Sequence, residues 1–359
     1  MIARVVLVGM GVWGCDWATN VLPVVEGIDV VAAVDIDESK LIAAQEAGLI
    51  APDMPTFTDL AEALRHVEAD AVLITAAIVA HAELVMTALE AGCHVHVEKP
   101  FTTTLADAVS AVELATARGL TLAVVQNFRY EAPFTIATRM ARERVFGDLT
   151  GVWVDFRRLY PFDDTLTPHP EIDHNVLVQI SVHHFDLMRA VIGREPRSIY
   201  CHAWKAAPST SSAPCAATAV VDFDGLVVTY RADMMSQGDE TSWAGSWRLE
   251  CTDGDILWGG ADHPLDGMTF EYDQRSGGFL ELHPRGKAPQ RQPLPATIEA
   301  RLFSFEEFIR AVAMRSDLPV SGRNNLGTIA LMNAAELSAR TGRTVLLDEI
   351  WADVGQAVG

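Results

Sequence analysis

Lys99 stands between a glutamate and a proline, in Glu98-Lys99-Pro100, directly after the apolar run His94-Val95-His96-Val97. An ammonium group at the end of a buried strand can polarise an oxygen that gains negative charge, as the reacting oxygen does in hydride transfer. Pro100 favours an extended Lys99 and stops the strand. Further along, Gln179, His183 and Asp186 fall at i, i+4 and i+7 of a helical pattern, which puts all three on one face. The apolar Val176, Ile180, Leu187 and Val191 mark another side of that helix. A histidine so placed is either a donor in an ordinary surface network or, on a cleft wall, an acid/base titrating near neutrality. The third cluster is Gly9-Met10-Gly11-Val12-Trp13-Gly14, a G-x-G-x-x-G pattern between a strand and a helix. Gly9 permits the tight turn, Gly11 lets a pyrophosphate approach backbone N–H groups, and Gly14 allows close helix–strand packing. Asp35 ends the next strand, where an acid can hold an adenosine ribose. A carboxylate accepts from both ribose hydroxyls and repels a 2′-phosphate, and Ile36 and Asp37 bring no cation. NAD is predicted over NADP.

The elements that must position these groups change character along the chain. Residues 4–8, 29–34, 70–75, 94–97 and 121–125 read as buried strands, alternating with helices at 38–47, 58–64, 81–90 and 105–118. That alternation predicts an α/β Rossmann domain with a parallel sheet over residues 1–125. Residues 126–359 read as an α+β substrate-binding and oligomerisation domain with a large open mixed or antiparallel sheet. Val152 to Arg158 alternates as a half-solvated strand does. Asn175 to Ile192 reads as one helix ended by Gly193. Strands follow at 199–204, 216–222, 226–232, 246–251, 255–258 and 267–272, with Asp224-Gly225 and Asp253-Gly254 as turn signals. Residues 274–294 read as a loop. Two helices close the chain at about 298–315 and 324–340, and the domain assignment expects them to pack back towards the Rossmann domain.

A length of 359 residues suits two domains. The formal charge of −21 argues against nucleic acid and anionic membrane surfaces. No apolar run approaches the roughly 20 residues of a membrane span. The amino terminus lacks the pattern of a secretory leader, so a cytoplasmic protein is predicted. Five scattered cysteines without a C-x-x-C pair predict free thiols, and the scatter of histidines predicts no metal site.

Taken together, these motifs resemble the Gfo/Idh/MocA oxidoreductases, the family of glucose–fructose oxidoreductase and inositol dehydrogenase. The likeness is carried by residues 9–14, Asp35, Ala80-His81-Ala82-Glu83, and Ala91-Gly92-Cys93-His94-Val95-His96-Val97-Glu98-Lys99-Pro100. Asn127-Phe128-Arg129-Tyr130, Val182-His183-His184-Phe185-Asp186 and the two closing helices extend it. The resemblance implies an NAD-dependent dehydrogenase acting on CH–OH groups of a sugar, polyol or inositol, or reducing the corresponding keto sugar. Lys99 would then polarise the reacting oxygen and His183 serve as acid/base. It further implies a cofactor site of Gly9, Met10, Gly11, Val12, Trp13, Gly14, Asp35, Ile36, Ala76, His81, Glu98, Lys99 and Asn127. Substrate would be held by Lys99, Arg129, Gln179 and His183. Family members pair through the exposed face of the second-domain sheet, so a homodimer or homotetramer is expected.

Two departures bear on the substrate. Gln179 stands where the family often has Asp, leaving Asp186 or Glu98 to supply charge for an imidazolium. Ala77-Ile78 replaces the usual Pro-Asn beside the cofactor. His169 and His174, in the Pro-rich loop before the helix, are candidates for lining the sugar site. Two other classes stay open: an NAD-retaining glycosidase working through transient oxidation, and a non-catalytic NAD-sensing regulator, which would have little need of Lys99.

Overall fold

The computed structural model describes residues 3–160, 176–207, 209, 213–259, 278–295 and 300–357. The chain divides into two units, Met1–Asn127 with Arg301–Ile329, and Phe128–Ala300 with Ala330–Gly359.

In the first unit, β-branched and aliphatic runs form β1 (Ala3–Val8), β2 (Ile28–Val34), β3 (Thr56–Phe57), β4 (Ala71–Ile74), β5 (His94–Val97) and β6 (Leu122–Val124). Every residue of β4 is buried, and of β1 only Arg4 is not. Both sheet faces are therefore covered, as parallel sheets require. The helices between them are α1 (Val12–Asp16), α2 (Glu38–Glu46), α3 (Leu60–His66), α4 (His81–Glu90) and α5 (Leu105–Arg118). Asp59 caps α3 by accepting from the Glu62 N–H at 2.6 Å, and Thr104 caps α5 from the Asp107 N–H at 3.2 Å. Gly119, at φ 65°, ends α5 in the left-handed conformation. All strands run parallel in the order β3-β2-β1-β4-β5-β6. The order reverses between β1 and β4, and ligands of such sheets sit beyond the carboxyl ends at that point.

The second unit holds α6 (Ala132–Arg142), β7 (Leu149–Arg157), α7 (Val182–Ile192), β8 (Ser198–Trp204), β9 (Ala216–Phe223) and β10 (Leu226–Asp233). It continues with β11 (Ser246–Cys251), β12 (Gly254–Gly259), β13 (Phe279–Pro284) and β14 (Gln290–Arg291). The chain then forms α8 (Ala300–Met314), α9 (Gly322–Thr341), β15 (Val345–Leu346) and α10 (Leu347–Ala357). Nine strands make one mixed sheet, β14-β13-β12-β11-β7-β10-β9-β8-β15, parallel only between β7 and β10. Val152, Val154 and Phe156 of β7 are buried while Trp153 between them is 51% exposed, the alternation of a sheet with one wet face. Trp247 and Trp258 stack on the buried side with centroids 5.4 Å apart. Asp224 and Gly225, both at positive φ, close the two-residue hairpin between β9 and β10.

Residues 301–329 belong to the first unit, where the Val124 N–H donates to the Val320 carbonyl at 2.9 Å and Ala123 bridges Ser321. This arm covers the open edge of β6, a common way of blunting an edge strand.

The structure differs from the sequence reading in particular places. The helix expected over 175–192 opens as a π-helical turn, Val176–Ser181, before α7. A wider turn shifts the phase, so Gln179 is not in the α register assumed for His183 and Asp186. β13 and β14 fall in the stretch read as a loop, because six residues of alternating burial sit between Gly- and Pro-rich flanks. β3, α6, β15 and α10 had not been anticipated. The strand expected at 267–272, and His169 and His174, lie outside the described residues.

Candidate functional site

The glycine turn is built by steric necessity at two of its three glycines. Gly9 has φ 95°, and a Cβ there would lie 2.5 Å from the Ala76 amide nitrogen. A Cβ on Gly14 would lie 1.7 Å from the Gly9 carbonyl oxygen. Gly11 is different: a Cβ on it would meet nothing within 4 Å. Its smallness answers no contact within the protein, which fits close approach of a pyrophosphate at that backbone. Asp35 follows β2 with its carboxylate already oriented: Oδ2 accepts from the Met10 N–H at 2.7 Å and Oδ1 from the Asp37 N–H at 2.9 Å. Met10 belongs to the glycine turn, so turn and acid form one assembly suited to a dinucleotide. Val12 and Ile36 are exposed at 66% and 90%, and Trp13 is partly exposed. The Lys40 ammonium lies 3.8 Å from Asp35 and offsets part of its charge. The sequence reading stopped at Asp37 and missed this cation in the first turn of α2.

The loops after β4 and β5 are tied together by His81. Its Nδ1 lies 2.8 Å from the Pro100 carbonyl oxygen and its Nε2 2.9 Å from that of Ala76. Pro100 follows Lys99 through a cis peptide bond. Glu98 is buried and accepts from the Trp17 indole N–H at 2.8 Å. Burial raises its carboxyl, opposed by the Lys99 charge, the Trp17 hydrogen bond and Arg301. Burial also lowers the Lys99 ammonium, with Glu98 acting the other way. The two neighbours are therefore a coupled pair, each easing the other's desolvation. Arg301 pairs with Asp16, and its guanidinium lies 5.8 Å from the ring centres of both Trp13 and Trp17. No local motif announces Arg301, because it reaches α1 from the distant C-terminal arm. His96 packs against Trp17, Phe305 and Phe308, and burial pushes it down to about 3, so it is a neutral core residue.

Within the second unit, Phe128 and Arg129 meet α7. Phe128 stacks on His183 with ring centres 4.2 Å apart and planes 28° from parallel. Arg129 grips Asp186 through two parallel hydrogen bonds, Nε to Oδ2 at 2.5 Å and Nη2 to Oδ1 at 2.7 Å. Much of the Arg129 fork is thus committed to Asp186 rather than open to a substrate. Of the two adjacent histidines, His184 is wholly built in: Nδ1 lies 2.8 Å from the Tyr230 hydroxyl and Nε2 2.9 Å from the Trp243 carbonyl oxygen. Burial lowers it to about 4. Gln179 sits half-buried in the π turn.

The first unit thus brings together the glycine turn, Asp35, Ala76, His81, Glu98 and Lys99 at the carboxyl ends of its strands, with buried Asn127 following β6. A cavity of about 780 Å³, lined in part by Asp70, His94, Arg118, Arg315 and Arg323, opens instead at the amino ends of the strands and contains none of these groups. Among the described residues, no group of three or more His, Cys, Asp or Glu is arranged to hold a metal ion. No described helix is long and apolar enough to cross a membrane.

A six-stranded parallel sheet with this glycine turn and this acid defines an NAD-binding Rossmann oxidoreductase. The chain belongs to the GFO/IDH/MocA family: the model of its NAD-binding Rossmann fold matches residues 3–126, and that of its C-terminal domain matches residues 134–257. D-apiose dehydrogenase of Paraburkholderia graminis is 28% identical over 345 residues, 92% of this chain and 86% of that protein. Inositol 2-dehydrogenase 3 of Saccharopolyspora erythraea is 37% identical over 135 residues, 37% of this chain and 39% of that one. Among solved structures, an Agrobacterium radiobacter oxidoreductase in complex with NAD+, L-tartaric acid and magnesium superposes with a TM-score of 0.83 at 19% identity. The match covers 98% of this chain and 100% of that one, a likeness of fold.

Proposed function

We propose that the protein is an NAD-dependent dehydrogenase that oxidises a hydroxyl of a sugar, polyol or inositol, or reduces the corresponding keto sugar. The observation that carries this reading is Lys99: a half-buried ammonium at the carboxyl end of β5, lowered by burial, on the sheet edge that holds the glycine turn and Asp35. The D-apiose and inositol dehydrogenases among the relatives support the substrate class.

NAD bound by the turn and Asp35 supplies the hydride acceptor. The rest falls to the chain. Lys99 hydrogen-bonds the reacting oxygen and stabilises its developing charge, which a lysine in a desolvated setting does more strongly than one in water. Glu98 keeps that ammonium charged, and Trp17 holds Glu98 in place. His183, its ring plane fixed by Phe128, takes the hydroxyl proton, because imidazole binds and releases protons near neutrality. Gln179 and Arg129 would orient the other hydroxyls. The same reading places the protein in the cytoplasm as a homodimer or homotetramer. The wet face of the nine-stranded sheet supports assembly, with Trp153, Tyr200 and Val220 in one cross-strand row.

The test is NADH formation with a panel of free sugars, polyols and inositols, with NAD and NADP in parallel. Turnover with NAD, lost in Lys99→Ala while calorimetric NAD binding persists, is the expected result. Near-normal turnover in that variant would sink the mechanism, and turnover of an aryl glycoside without net NADH would replace the reaction.

A further inference from the structure

The cavity of about 780 Å³ at the amino ends of the parallel strands takes no part in the site above, and every residue lining it belongs to the first unit. It is bounded by the starts of β1 and β5, by Asp70 before β4, and by the last turns of α5 and α8. Arg118, Arg315 and Arg323 line it. Arg118 is held through Nη1, which donates to the Glu90 carbonyl at 2.6 Å, and Arg323 through Nη2, which donates to Thr116 Oγ1 at 3.0 Å. Among the described residues none of the three arginines forms an ion pair, and the Arg315 side chain makes no hydrogen bond. Two acids share the lining. Asp70 is gripped by Arg4 through two bonds of 3.1 Å, and Asp317 accepts from the Leu318 N–H at 2.9 Å. The cavity therefore keeps an excess of positive charge in a chain whose formal charge is −21.

Arg315 stands at φ 52°, in the left-handed conformation that glycine usually takes after a helix. The Ser316 N–H donates back to the Ala311 carbonyl at 3.2 Å and closes that helix end. A guanidinium thus occupies a position where the backbone favours glycine. His94 adds a donor: its Nδ1 accepts from the Thr121 N–H at 2.9 Å, which leaves the proton on Nε2. Burial lowers this imidazole, Asp70 opposing and the nearby Arg315 charge adding to the effect, so the ring is neutral. We propose that the cavity binds a small polyvalent anion, a phosphate ester or a polycarboxylate, through Arg118, Arg315 and Arg323. The forked N–H donors of a guanidinium match the paired oxygens of either group. The volume is that of a small-molecule site and leaves room for the rest of such a ligand. β5 begins at His94 and leads to Lys99 beyond its other end, so this site is separate from the dinucleotide edge and independent of the dehydrogenase reading.

Calorimetry on the NAD-saturated full chain tests this. The probes are D-glucose 6-phosphate and citrate, with D-glucose as the uncharged control and sodium chloride at matched ionic strength. The native protein should bind at least one of the two anions saturably, and the one bound at lower concentration tells phosphate ester from polycarboxylate. Arg315→Gly removes the charge at a backbone angle that glycine favours. Its Tm without anion should be no lower than the native value, while the anion dissociation constant rises about tenfold or more. Arg118→Gln should weaken the anion similarly, and NAD, titrated separately, should bind all three proteins equally. Anion binding absent from the native protein, or a heat reproduced by D-glucose or by sodium chloride, overturns the proposal. So does an anion dissociation constant unchanged in either variant, or a matching loss of NAD binding.

Discussion

The two sheets position chemistry in opposite ways. In the parallel sheet both faces are buried, so the side chains that meet a ligand sit at strand ends, one or two residues beyond a β-branched run. Asp35 after β2 and Glu98-Lys99 after β5 are such residues. In the mixed sheet one face is wet, and the candidate acid/base stands on a helix packed over the other face. There the phase of the helix decides which side chain faces where, and that phase is set by a π turn. Strand-end chemistry is fixed by local sequence; helix-face chemistry depends on tertiary detail.

The sharpest way to break this comparison lies in the glycine turn. A Cβ at Gly14 overlaps the Gly9 carbonyl, whereas a Cβ at Gly11 meets only open space. Gly14→Ala should cost upwards of about 4 kcal/mol, seen as lost soluble yield or a large fall in Tm. Gly11→Ala should melt normally and lose NAD affinity by about tenfold or more in calorimetry. Equal Tm losses in the two variants would mean that Gly11 is structural too, and the cofactor cradle would need redrawing.

Next in size is the contrast between the adjacent histidines of α7. His184 bonds the Tyr230 hydroxyl and the Trp243 carbonyl, so His184→Ala should destabilise by about 2–3 kcal/mol, measured by denaturant titration. His183→Ala should change stability less and lower kcat by a factor of about 10² to 10⁴. The opposite pattern would reassign the acid/base role.

How much of this was legible follows the same division. The β4–α4–β5 stretch could be read to within a residue at its ends, since the burial pattern and Gly92, at φ 87°, are local signals. So could Asp35 and the glycine turn. Three things could not. Arg301 reaches Asp16 across the sequence from the C-terminal arm, Lys40 lies five residues beyond the acid whose charge it partly offsets, and the π turn replaces a helix of ordinary composition. In the second sheet the alternation of β7 was visible, but β13 hid among glycines and prolines that suggested a loop.

The wet face of that sheet offers a third, smaller test. Trp153 pairs across to Thr229, which pairs to Val220, which pairs to Tyr200, so three large exposed side chains share one row. If the face joins two copies, Trp153→Glu should shift the molecular mass from dimer or tetramer to monomer in light scattering, with the Tm of the isolated chain little changed. A native protein that is already monomeric, or a variant that still assembles, would leave this face without that role.

A last test is the pH dependence that a carboxyl of the second unit contributes to stability. Burial raises Glu131 from 4.5 to about 8. Above pH 4.5 the unfolded chain ionises this carboxyl, while the folded protein holds its proton until about pH 8. The folded state then binds more protons than the unfolded one across that window, so stability falls as pH rises through it. Partial exposure trims the effect, because solvent screens the group. Glu131→Gln removes the titration, so the Tm of the variant relative to the native protein should climb between pH 5 and pH 8 and level off above. A constant difference across that range would mean that Glu131 is ionised in the fold.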